Sequence, residues 1–433
     1  MARARFKLQK IQVNHTSWFY SAFLILLLLG SGVFPPLFFT VIALMSIAIF
    51  SMNNLFAYLP LKFGFLLKVT APFLLITVIG FFGGVLEYQY YDVFKDVWYV
   101  LNPVVMIFFG FLLASRFKRI ETFFLAIVVA GFILAVFHIS KFIFDPSLIT
   151  LSATEIRNTV GKGSAVTLMA LVLILISFRY KLHFLFQSKL CNALVVIVIM
   201  LSIMLYFSRI TYLSIIVIIF LVLGWGYLKK GVSLGVIVAS ISVILALIFY
   251  FVPEVSVRGT GFFEKLVYSF NELRTQDYTS IYQIHNNWRG FESYQAYKQF
   301  LNGSWFEIVF GQGFGQTVDL QIYMQLGNEY VRFASVLHNG YLYALIKTGI
   351  IGLFLYLAFL ALFWRYVLFK ARMIELNPFL SILTTFIVIK ILLDTYVVSG
   401  LYNKGSFVLS LLIGAILYFV SETSLHKKRL SDR

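Results

Sequence analysis

Three side chains stand out in a chain that is otherwise mostly apolar: Arg209, Arg289 and His338. Arginine keeps its charge on a planar fork that matches oxyanions bidentately. Imidazole takes or gives a proton near neutral pH. The set has the chemistry to grip an anion and move a proton, yet each member also has a plainer explanation. Arg209 lies in the short turn Phe207-Ser208-Arg209, where a snorkelling interfacial arginine would look the same. Arg289 falls in Asn286-Asn287-Trp288-Arg289-Gly290-Phe291-Glu292, a stretch that suits the solvated face of a surface helix. His338 opens a helix as Leu337-His338-Asn339-Gly340-Tyr341-Leu342, where histidine often caps or packs. Arg157 and Lys162 precede a predicted span and suit interfacial anchoring. Lys347, Lys390 and Asp394 lie within spans, the last two four residues apart and so able to pair on one helix face.

The elements that position these residues must live in lipid. The 433 residues are 61% hydrophobic and only 12% charged, against about 45–50% and about 25% in soluble domains. So few ions could not cover the surface of a soluble fold. Stretches of about 20 apolar residues predict spans near 17–34, 37–53, 65–85, 98–115, 120–140, 164–180, 191–207, 210–228, 232–252, 341–364, 378–397 and 405–421. Pro35-Pro36 suits a tight hairpin between the first two. The fold expected is an all-α polytopic membrane protein of about twelve helices. The start, Met1-Ala2-Arg3-Ala4-Arg5-Phe6-Lys7, has no evident cleavage site after its apolar run and reads as a retained first span.

Lysine and arginine then set the orientation. With the N-terminus in the cytoplasm, every cytoplasmic connection is basic, from Arg3 and Arg5 through Arg116, Lys118 and Arg119 to Lys427, Lys428 and Arg429. The opposite side carries acids such as Glu87, Asp92 and Asp96, expected in its loops. Both termini are therefore expected in the cytoplasm. The net charge of +17 is absorbed by the anionic inner leaflet, which removes the case for nucleic acid. The single cysteine, Cys191, excludes an internal disulfide.

One connection is long. Residues 253–337 separate the predicted spans 1–9 (residues 1–252) from spans 10–12 (residues 338–433), and by this orientation they face the periplasm. Loops longer than about 12–15 residues are often functional. Phe263, Leu266, Val267, Phe270 and Leu273, and again Trp288, Phe291, Tyr294 and Phe300, recur at helical spacing. They predict two amphipathic helices at the membrane surface. The run Phe310-Gly311-Gln312-Gly313-Phe314-Gly315 lacks the Gly-Lys-Ser/Thr ending of a nucleotide loop and reads as a flexible turn. No internal repeat is evident.

The order of these features resembles the O-antigen polymerase and O-antigen ligase superfamily. The matching stretches are Ser208-Arg209-Ile210-Thr211-Tyr212-Leu213, Trp288-Arg289-Gly290, the turn from Gly311 to Gly315, and His338 to Gly352. They cover roughly residues 155–365. Two positions depart: Ile210 stands where a small residue is common, and Lys347 where ligase-like members often carry an acid.

The resemblance implies a GT-C-like membrane glycosyltransferase of the inner membrane. Such an enzyme moves a glycan from an undecaprenyl diphosphate carrier to a sugar hydroxyl; no His, Asp or Glu cluster with metal-ligand spacing accompanies His338, so a metal-independent reaction with no cofactor is expected. It assigns Arg209 and Arg289 to the leaving diphosphate. His338 becomes either the base for the acceptor hydroxyl or a hydrogen-bond donor to the diphosphate. Arg157, Lys162, Asn339 and Lys347, with Tyr294, Tyr297 and Trp305 as stacking rings for sugars, complete the expected binding set. Expected partners are the lipid-linked glycan, the bilayer, and a chain-length regulator and flippase of the same pathway. The leading expectation is a polymerase of O-antigen or capsular repeat units. Rivals are a ligase that transfers glycan to the lipid A core, a lipid-linked sugar flippase, and a peptidoglycan polymerase of the shape, elongation and division type.

Overall fold

The structure is a computed structural model that describes residues 15–52, 60–150, 156, 159, 163–180, 188–206, 208–228, 275–326, 329–371 and 377–431. It is mostly helical. In chain order the helices are α1 (His15–Gly30), α2 (Pro36–Met52), α3 (Pro60–Gly84), α4 (Tyr90–Ala114), α5 (Ile120–Phe144), α6 (Ser164–Tyr180), α7 (Lys189–Leu205) and α8 (Arg209–Leu228). Three short helices follow, α9 (Ile281–Asn286), α10 (Trp288–Leu301) and α11 (Trp305–Phe310), then α12 (Gly340–Ala371), α13 (Asn377–Val398) and α14 (Phe407–Ser431).

Five of these, within α3, α4, α5, α12 and α13, are long and apolar enough to cross a membrane, and α1, α2, α6, α7, α8 and α14 contain shorter apolar stretches. Apart from the ninth, each expected span falls on one of these helices. The ninth, 232–252, and the amphipathic run from Phe263 to Leu273 lie outside the described residues. α14 packs along α4, α5 against α1, α6 and α7, and α12 against α3 and α13.

The mostly helical fold agrees with the all-α class expected, and it carries one short hairpin besides: Val318–Leu326 (β1) and Glu329–Ala334 (β2) pair antiparallel, with Asp319 opposite Phe333 and Gln325 opposite Tyr330. Two expectations are corrected. First, α4 begins at Tyr90 rather than near 98, so Asp92 and Asp96 lie on a helix and not in a loop. Second, the glycine-rich run is a buried wedge and not a flexible turn, with Gly311, Gly313, Phe314 and Gly315 all buried.

The wedge exists because α12 breaks. Gly349 takes φ 65 and ψ −165, a region costly for residues with a Cβ, and a side chain there would overlap the Val309 carbonyl and the Gly311 amide. The break frees the carbonyls of Ile346 and Lys347, which accept from Gln312 N (2.8 Å) and Gly313 N (3.1 Å). On the other flank Phe314 N donates to Gly80 O (2.7 Å). The Phe314 ring lies so close to Gly80 that any side chain there would overlap it. Non-helical backbone among spans is tolerated only when protein satisfies it in this way.

Asp96 ties the pieces together. Its Oδ1 accepts from the Tyr343 hydroxyl (2.9 Å). Its Oδ2 accepts from Gly315 N (2.7 Å) and from Lys347 Nζ (2.5 Å). Lys347 also donates to the Gln316 carbonyl. Both ionic side chains are buried, 3% exposed for Lys347 and 2% for Asp96. Removing one partner of such a pair strands the other charge, at about 3–5 kcal/mol. Asp96→Ala should therefore lower the melting temperature in detergent steeply, and adding Lys347→Met should recover part of the loss. An unchanged melting curve for Asp96→Ala would show that the knot does not hold the bundle.

Candidate functional site

His338 lies on the short link between β2 and α12, and two neighbours, Glu292 and Ser399, fix it. Its main-chain N donates to Glu292 Oε2 (2.8 Å), and its ring Nδ1 lies 3.1 Å from the same oxygen. Behind it, Ser399 N donates to the His338 carbonyl (2.6 Å) and the Ser399 hydroxyl to the Leu337 carbonyl (2.5 Å). Upstream, Lys95 donates to the Ser335 hydroxyl (2.7 Å). The ring remains 43% exposed, whereas Glu292 is 3% exposed. The link is rigid, and one edge of the imidazole is open.

Arg289 lies on the same helix as Glu292. The two are three residues apart on α10, hence neighbours on one helix face, and α10 docks on α12 and β1. Arg289 is half-buried. Arg209 starts α8, half-buried, with Thr211 donating to the adjacent Ser208 hydroxyl (2.9 Å). Helix contacts place this turn at the same end of the bundle as His338. Early in α5, Phe124 meets Phe379 near the start of α13. Late in α5, His138 stacks on Tyr206 beside the turn, ring centroids 3.8 Å apart. α13 therefore runs with α5 and ends, at Ser399, toward the level of Arg209.

Other expected residues sit differently. Lys347 is removed from any substrate surface, because its ammonium is consumed by Asp96 and Gln316. Asn339 is buried and caps α12, its Oδ1 accepting from Tyr341 N (3.0 Å) and Leu342 N (3.3 Å). Tyr294 and Tyr297 lie roughly 140–200° around α10 from Glu292, and Trp305 is an exposed ring against Phe306. These three are not gathered with His338. Arg157 and Lys162 lie outside the described residues. Lys390 and Asp394 pair as their spacing suggests, at 2.9 Å. Among the described residues, no three His, Cys, Asp or Glu side chains are grouped to hold a metal ion.

Residues 193–357 match the family model described as O-Antigen ligase. That stretch of the chain is similar to the O-antigen ligase family, of the polymerase and ligase superfamily. The matched stretch holds Arg209, Arg289, Glu292, His338 and the glycine wedge. The match indicates a ligase- or polymerase-type function, that of a membrane glycosyltransferase-like enzyme. A comparison with curated proteins finds no match.

Sequence reasoning missed Glu292, Asp96 and the β-hairpin. The hairpin had a signal. Val318, Leu320, Ile322 and Met324 alternate with Asp319, Gln321, Tyr323 and Gln325, ahead of Gly327-Asn328 in the sequence. Glu292 had no sequence signal beyond its place one turn after Arg289.

In the hairpin, Arg332 binds Asp319 bidentately at 2.9 and 2.9 Å. The guanidinium hydrogen bonds hold the Asp319 carboxyl below its ordinary 3.8. A depressed carboxyl contributes stability that is present above the ordinary value and lost as pH falls through the folded one. Asp319→Ala should thus speed amide exchange across the hairpin near neutral pH. The gap from the unsubstituted protein should close only as pH drops below 3.8. A gap that closed already near neutrality would exclude the ion pair as its cause.

Proposed function

We propose that this protein polymerises undecaprenyl diphosphate-linked oligosaccharide repeat units into O-antigen or capsular polysaccharide at the outer face of the inner membrane. The observation that carries the reading is the grip of the buried Glu292 carboxylate on His338, one helical turn from Arg289 and at the bundle end that also bears Arg209. Glycosyl transfer from a diphosphate needs fixed cations where the leaving group gains charge and a group to take the proton of the attacking hydroxyl. Two arginines and a half-exposed imidazole supply both. The site is built on joints between rigid elements, so the geometry is in place before substrate arrives.

A second reading is supported by the description of the matched family itself, O-antigen ligase. It keeps the donor chemistry and makes the lipid A core the acceptor. Lipopolysaccharide or capsule gels from a deletion strain separate the two. Core capped with single repeat units supports the polymerase, loss of all long glycan from the core supports the ligase, and an unaltered ladder refutes both. Arg289→Ala should abolish long chains at normal expression, since one lost charge-stabilising donor costs about 2.7–4 kcal/mol of barrier. Normal chain length in that variant would remove Arg289 from the site.

A further inference from the structure

We infer that Glu292 is a positioning residue that holds His338 Nδ1 as an inward hydrogen-bond donor, so that Nε2 is the atom offered to the acceptor hydroxyl. This deepens the transferase reading and rests on it. It also decides between the two roles the sequence left open for His338, in favour of the base.

The geometry leaves the imidazole little choice. Oε2 of Glu292 accepts the His338 main-chain N–H at 2.8 Å and faces Nδ1 at 3.1 Å, while Oε1 lies 3.4 Å from the same nitrogen. An ionised carboxylate only accepts, so the proton in this contact belongs to Nδ1. The peptide on either side of the ring is tied down by Ser399. The Nδ1 edge is therefore closed and the open edge of a ring 43% exposed is that of Nε2. In the neutral ring, a proton on Nδ1 leaves a lone pair on Nε2. That is a base, and its orientation by a third group follows the general pattern for activated sites.

The step balances. The acceptor oxygen forms its bond to the anomeric carbon while its proton passes to Nε2. The bond from that carbon to the diphosphate oxygen breaks, and its electron pair leaves with the diphosphate, whose charge the arginines meet. The proton on Nε2 is afterwards released to water.

The test uses the full-length protein in lipid nanodiscs with lipid-linked repeat units, and 15N-labelled histidine read by NMR. Glu292→Gln keeps the shape but can turn an amide N–H toward Nδ1, which moves the ring proton to Nε2. Turnover should fall about 10²–10⁴-fold, the range a positioned base contributes, with KM for the lipid-linked donor little changed. Glu292→Asp should recover part of the rate, and Glu292→Gln with His338→Ala should be no slower than His338→Ala alone. In the unsubstituted protein the resonance that His338→Ala removes should show Nδ1 protonated, and Glu292→Gln should convert it. Turnover unchanged by Glu292→Gln, KM and turnover falling with the tautomer unaltered, or an Nε2-protonated ring in the unsubstituted protein would each overturn the inference. An unsubstituted protein inactive on lipid-linked glycan would sink the transferase reading instead, and the NMR measurement would still decide what Glu292 does.

Discussion

One carboxylate, that of Asp96, holds together the half of the molecule that matters. Buried groups of opposite charge repay their desolvation only when every remaining lone pair and proton is also satisfied. Asp96 meets that condition with three donors from two directions, the Lys347 ammonium and Tyr343 hydroxyl of α12 and the main-chain N–H of Gly315. The pair thereby fixes the register of α12 against α4 and pins the end of the glycine wedge between them. Since α12 begins two residues after His338, the height of the imidazole is set by this knot. The break at Gly349 is part of the same arrangement, because the freed carbonyls are what the wedge binds.

Around the knot, polar side chains divide by burial. Asp96, Lys347, Glu292, Asn339 and Ser399 are buried, and each is hydrogen-bonded within the protein. His338, Arg289 and Arg209 are only half-buried. The first set orients, and the second keeps part of its surface exposed at that end of the bundle. The two intramembrane lysines fall in the orienting set, Lys347 with Asp96 and Lys390 with Asp394. In a transporter, ionisable residues line a pathway at mid-membrane. Paired and enclosed, these two lysines serve packing.

The helices were legible because a span needs a long apolar run, and such runs are hard to mistake. Span 164–180 coincides with α6, and 210–228 starts one residue after α8 does. What hydropathy could not show was how polar residues outside the spans are used. The first turns of α4 looked like loop because Asp92, Lys95 and Asp96 are charged, yet Asp96 and Lys95 are satisfied by chain more than 200 residues away. Lys347 and Asn339 looked available for substrate because a sequence does not reveal which polar groups are already consumed. Glu292 was hidden for the opposite reason. A lone glutamate on an amphipathic helix is ordinarily solvated, and only the docking of α10 on α12 turns it inward.

The position of His338 also says why the site sits on a joint and not within a span. A histidine inside a helix has its main-chain N–H and carbonyl occupied by neighbours of the same helix, so only its side chain can be steered. His338 precedes α12, and its backbone groups are open to partners from elsewhere: Glu292 takes the N–H and Ser399 supplies a donor to the carbonyl. Main chain and ring are gripped by the same carboxylate, which removes the rotamer freedom an exposed imidazole would otherwise keep. Rigidity at this point is bought with two buried polar groups, Glu292 and Ser399, each satisfied by the segment it restrains. A fixed ring that stays 43% exposed is what that arrangement yields, and the base proposed here requires both.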